Sequence, residues 1–188
     1  MATTGFLVVV PDLLHSDPFD FDNPQFNREA WAAAHTPDKG CEDAKLIIEA
    51  LKSKGVSAVG AAGFCWGGCL AIVAGMVVCK VAASRDIQAA VLLHPGPISV
   101  EEIISKICLL HVPTAILGAE IDQYFPSELV KQYEEILSTN CKVDSLGKVF
   151  PGVAHGWTMR YNEEDQFAVK SAKEAHSDMI NWLTKYVK

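Results

Sequence analysis

From Gly55 to Cys79 the chain carries no charged residue, yet glycines interrupt that run at positions 55, 60, 63, 67, 68 and 75. A stretch of this length could span a bilayer, but the glycines argue for something else. A strand over Val56–Ala62, a tight turn at Gly63-Phe64-Cys65-Trp66-Gly67-Gly68 and a helix over Leu70–Val81 explain both features. The helix is apolar all round, which requires that it be buried. A buried strand feeding a buried helix is the unit of a parallel sheet covered on its faces.

The rest of the chain repeats that alternation. Strands are expected at Phe6–Val10, Gln88–Leu93, Thr114–Leu117 and Leu146–Phe150, the first ended by Pro11-Asp12 and the second by His94-Pro95-Gly96-Pro97. Ala44, Ile47, Ile48 and Leu51 fall at helical spacing before Gly55. Leu129, Val130, Tyr133, Ile136 and Leu137 form a second stripe, behind a Pro126 suited to a first helical turn. Val169, Ala172, His176, Met179, Leu183 and Tyr186 form a closing one, and a short helix is expected at Val100–Lys106. The polar, aromatic stretch His15–Gly40 reads as a long loop. The pattern predicts one α/β domain over residues 1–188, a mostly parallel sheet of about five strands flanked by helices.

Composition narrows the function. The net charge of −7 repels phosphate backbones and disfavours nucleic-acid binding. Six cysteines occur with no secretory segment, because the run Gly5–Val10 is too short for a signal core and follows no basic residue. Reduced thiols in the cytoplasm are therefore expected, with no membrane association. No Cys/His cluster has zinc spacing and no glycine loop matches a dinucleotide or phosphate motif, so neither metal nor cofactor is expected.

Gly63-Phe64-Cys65-Trp66-Gly67-Gly68 has the form of a nucleophile elbow with Cys for Ser. Such a turn presents its nucleophile above the sheet at a helix start, where the backbone dipole favours thiolate. Pro151-Gly152-Val153-Ala154-His155-Gly156-Trp157 follows the last strand, which puts His155 at the carboxyl edge of the sheet beside the elbow. His15 and His35 in the loop, His94 and His111 beside prolines, and His176 in a helix stripe fit a base less well. Glu120 and Asp122 both follow the fourth strand, and spacing does not choose between them.

Together, Gly5–Leu13, Gly63–Gly68, Gly118-Ala119-Glu120-Ile121-Asp122 and Gly152–Trp157 resemble the dienelactone hydrolase family of the α/β-hydrolase superfamily, nearly end to end. Within it, the chain resembles plant members labelled endo-1,3;1,4-β-glucanase. The resemblance implies an α/β-hydrolase fold and a Cys-Asp-His triad acting on small esters and lactones. Cys65 would be the nucleophile, Asp122 rather than Glu120 the acid, and His155 the base. The Trp66 backbone N–H would be one donor to the oxyanion. Arg160, which follows His155 one position later than the family's arginine, would either hold a substrate carboxylate or stand as a solvated surface arginine, and Trp66 and Trp157 would wall the pocket or pack in the core. Relative to the family, Gly5–Val10 resembles a strand from mid-domain, so N-terminal strands are expected to be missing, and Cys69–Ser84 is longer.

These features lead to a metal-free, cofactor-free hydrolase of small carboxylic esters or lactones, working as a monomer or weak homodimer on a small-molecule substrate. Two other readings compete. One is an inactive, truncated homologue with a binding or regulatory role. The other is a β-1,3;1,4-glucan hydrolase, which would need two carboxylates about 5–9.5 Å apart across the bond, for which only Glu120 and Asp122 offer themselves.

Overall fold

The computed structural model describes residues 4–20, 22–65, 87–96, 112–139 and 144–188. The expected helices at Leu70–Val81 and Val100–Lys106, Trp66 and the segment Cys69–Ser84 lie outside them. Two helices come first, α1 (Arg28–Ala34) and α2 (Pro37–Ser53). They are followed by β1 (Gly60–Phe64), β2 (Ala89–Leu93), β3 (Thr114–Ile121), α3 (Ser127–Thr139), β4 (Ser145–Ala154) and α4 (Gln166–Tyr186). The four strands form one parallel sheet in the order β1-β2-β3-β4, with Phe64 beside Leu93, and Leu93 beside Leu117.

The middle of the sheet is its core because β2 and Thr114–Ala119 of β3 are buried on both faces. Every residue of β2 is buried. Ala89, Val91 and Leu93 point with Ala115, Leu117 and Ala119 toward α4, where they meet Ala175, Met179, Trp182 and Leu183. Leu92 and Ile116 point the other way, onto Val130, Tyr133 and Leu137 of α3. Each such aliphatic side chain taken from water contributes about 1.5–3 kcal/mol. Gly118 lets β3 and α3 approach closely, since a Cβ there would lie 2.4 Å from Val130 Cγ2.

Three sequence expectations change. The strand expected over Val56–Ala62 runs instead over Gly60–Phe64 and takes in the first two residues of the expected turn. Phe6–Val10 is not a strand. Phe6 packs on the α4-side core, while Leu7 and Val10 are 75% and 88% exposed. An apolar run becomes a strand only where a neighbour completes its hydrogen bonds, and among the described residues β1 is paired on its β2 side alone. The sheet therefore has four described strands rather than five. The expected loop His15–Gly40 instead contains α1 and the first turn of α2. Asn27 caps the former by accepting from Ala30 N, and Thr36 caps the latter by accepting from Lys39 N, with Pro37 just inside. That Thr-Pro pair is a helix-start signal legible in the sequence. No helix among the described residues is long and apolar enough to cross a membrane.

Candidate active site

The carboxyl ends of the strands carry Cys65, His94, Asp122 and His155. Cys65 directly follows β1 and has φ 51°, a left-handed conformation that is unusual for a residue with a side chain. Such a backbone costs on the order of 1–3 kcal/mol and persists where its surroundings hold it. Here the neighbouring strand end holds it from both sides. Cys65 N donates to Leu93 O at 3.2 Å, and Gly96 N donates to Cys65 O at 3.0 Å.

Asp122 directly follows β3 and His155 directly follows β4. The pairing of β3 with β4 shifts register between Ala119 and Ile121, and His155 N donates to Ile121 O beyond the irregularity. Such irregularities re-aim side chains at strand ends. Asp122 Oδ1 accepts from Tyr124 N at 2.8 Å and Phe125 N at 3.1 Å, and Oδ2 lies 2.7 Å from His155 Nδ1. Glu120 points elsewhere, with Oε2 accepting from Gly152 N at 2.7 Å. The alternation that left the two carboxylates equivalent in the sequence is broken by their different partners.

His155 is pulled in two directions. Burial disfavours its charged form, but hydrogen bonding to Cys65 and Asp122 and their charge outweigh this and raise its pKa above the ordinary value. Nε2 is buried without a well-formed hydrogen bond. Catalytic contacts commonly tighten only with substrate in place. The ring of Tyr124 stands near-perpendicular to His155 at 4.9 Å.

Trp157 is 5% exposed and belongs to the core, against Phe150 at 5.3 Å and His94 at 5.1 Å. It backs the imidazole from inside and does not line an open surface. Arg160 is exposed and folds over Gly156, whose φ of 91° and missing Cβ leave the guanidinium room. Its charge also reaches His94. His94 is the residue that sequence reasoning passed over. Its signal was its position at the end of a strand, on the edge where ligands of such sheets bind. His176 lies half-buried, with its ring near-perpendicular to Phe64 at 6.3 Å.

The pattern of the dienelactone hydrolase family matches residues 1–187. The chain belongs to that family. It is 30% identical over 186 residues to a carboxymethylenebutenolidase homolog of Xenopus tropicalis, covering 97% of this chain and 72% of that one. It is 35% identical over 137 residues to an endo-1,3;1,4-beta-D-glucanase of Zea mays, covering 73% of this chain but only 40% of the maize protein. A solved structure described as a putative dienelactone hydrolase, from Klebsiella pneumoniae, superposes with a TM-score of 0.63 at 19% identity, over 86% of this chain and 68% of that one. The chain thus has the α/β-hydrolase fold of the dienelactone hydrolases and falls within a family of hydrolases. Among the described residues, no group of three His, Cys, Asp or Glu side chains is arranged to hold a metal ion.

Proposed function

We propose that this dienelactone hydrolase-family chain cleaves small carboxylic esters or lactones, with Cys65 as nucleophile, His155 as base and Asp122 as orienter. The observation that carries the reading is the Asp122 Oδ2–His155 Nδ1 contact of 2.7 Å, with the Cys65 thiol interacting with the same ring. Asp122 fixes Nδ1 as the protonated nitrogen and leaves Nε2 as the base.

Cys65 Sγ attacks the carbonyl carbon as its proton passes to His155 Nε2. The C–O bond to the leaving group then breaks, and the imidazolium protonates the departing oxygen. Water attacks the resulting thioester and gives a proton to His155, which returns it to the sulfur. The sum is one water added across one ester or lactone bond. By family resemblance, the Trp66 backbone N–H stabilises the oxyanion, a contribution that in such sites is on the order of 10²–10³ in turnover. Arg160 receives an anionic substituent of the substrate. We place this activity in the cytoplasm, on a small molecule, in a monomer or weak homodimer.

The glucan reading finds less support. Asp122's side chain has no solvent exposure and is engaged by three donors, and Glu120 is bound to the Gly152 backbone. Neither arrangement suits a carboxylate that must flank a polysaccharide bond.

Hydrolysis of p-nitrophenyl acetate by the native chain and by Cys65→Ala tests the proposal, with mixed-linkage β-glucan as the alternative substrate. Ester turnover that disappears in Cys65→Ala is expected. Glucan cleavage that survives the substitution supports the glucanase, and no turnover of either substrate supports the inactive homologue.

A further inference from the structure

His94 is 1% exposed and has φ 37°, so a buried histidine stands in left-handed backbone one residue beyond β2. The strand end that carries it also clamps the Cys65 backbone through Leu93 O and Gly96 N. Its ring lies near-perpendicular to His155 at 5.0 Å. Its Nε2 is 2.7 Å from the hydroxyl of Thr158, itself 1% exposed and three residues beyond His155 on the same loop. A single side chain thus joins the strand end that clamps the Cys65 backbone to the loop bearing the imidazole.

We propose that His94 is a positioning residue, which through Thr158 and its ring contact with His155 holds the imidazole in register with the Cys65 thiol. This rests on the reading of Cys65 and His155 as nucleophile and base. His94 touches neither the thiol's proton nor the attacked carbonyl in that scheme. Its action is on the geometry of the pair.

The electrostatics agree. Burial first, and then the neighbouring His155, hold the His94 pKa down to about 4, with Arg160 adding to the effect and Asp122 opposing it. At neutral pH His94 is therefore an uncharged spacer. A second imidazolium 5.0 Å from His155 would oppose the charge that His155 must take up when the thiol ionises. The groups facing His94 are His155, Asp122 and Arg160. His176 of α4 hydrogen-bonds to the Thr158 backbone, and burial holds its own pKa down.

The test measures the pH dependence of iodoacetamide alkylation, followed at the Cys65 peptide by mass spectrometry because the chain has six cysteines. The variants are Thr158→Val, which keeps the β-branched shape and removes the hydroxyl, His94→Phe, which keeps a ring, and the double variant. His155→Ala is the reference for an uncoupled thiol. In Thr158→Val the alkylation limb is expected to move up by about one pH unit, and so to slow about tenfold at pH values below the limb's midpoint. His94→Phe should match it, and the double variant should add nothing. Superposition of the Thr158→Val profile on the native one, even with a lowered melting temperature, overturns the positioning role. If the native profile instead coincides with His155→Ala, the nucleophile–base reading itself fails. Should His94→Phe not fold, Thr158→Val alone decides.

Discussion

His155 Nδ1 stands 2.7 Å from Asp122 Oδ2, and the Asp122 side chain it meets has no solvent exposure. Two backbone N–H groups hold the other carboxylate oxygen, so Asp122 cannot swing to a different partner. Asp122→Asn keeps the shape but offers an amide where the imidazole N–H needs an acceptor. The esterase kcat should fall by about 10³–10⁴. Glu120→Gln, which still presents an oxygen to Gly152 N, should change kcat by less than about threefold, in line with a surface substitution. Steady-state rates on p-nitrophenyl acetate for both variants check the assignment, and comparable losses would refute it.

The two neighbouring histidines, His94 and His155, should give opposite pH dependences to stability. His94 has a folded pKa of about 4 against an ordinary 6.5, so the unfolded chain takes up its proton first. Its contribution is full above 6.5 and is lost as pH falls toward 4, on the order of 3 kcal/mol in all. His155 has a raised pKa, so its contribution is full below the unfolded value and is lost as pH rises through the folded one. Urea unfolding at pH 7 and pH 4.5 should show the native chain losing more stability on acidification than His94→Phe.

Gly118 is a packing glycine. In Gly118→Ala the new Cβ would fall 2.4 Å from Val130 Cγ2, and overpacking of this kind costs about 1–3 kcal/mol. Removing the obstructing methyls should relieve it. Gly118→Ala combined with Val130→Ala is expected to be more stable than the sum of the two single losses predicts, as read from melting temperatures.

Arg160 shares its space with Gly156. Arg160→Ala should lower kcat/KM about tenfold or more for ester substrates bearing a second carboxylate, the scale of one charge-assisted contact, and leave neutral esters unaffected. Equal loss on both classes, or none on either, removes Arg160 from substrate recognition.

Leu7 and Val10 are 75% and 88% exposed. Lys at either position should leave the melting temperature nearly unchanged, as surface substitutions do, and reduce concentration-dependent light scattering. A large loss of stability would show that these side chains are buried in solution.

What could be read from the sequence was local. The strand that ends before Cys65, the stripes of α3 and α4 and the buried run of β2 each depend on residues within a few positions of one another. Periodicity and glycine placement therefore exposed them, and with them Cys65 and the strand ends where Asp122 and His155 lie. Phe6–Val10 had the same local signature as those strands, and it failed because a strand is defined by its neighbour as much as by its own side chains. The choice between Glu120 and Asp122 required the shifted β3–β4 pairing, a relation between residues some thirty positions apart; the family resemblance favoured Asp122 without supplying that geometry. His94 was hidden for the same reason. Beside two prolines it looks like a loop residue, and only the packing of β2 between β1 and β3 brings its ring against His155 and its Nε2 to Thr158, 64 positions away. Hydrophobic patterning specifies which elements form, because burial acts on each side chain in turn. Which polar groups meet at their ends is decided by register and strand order, which only the assembled sheet contains.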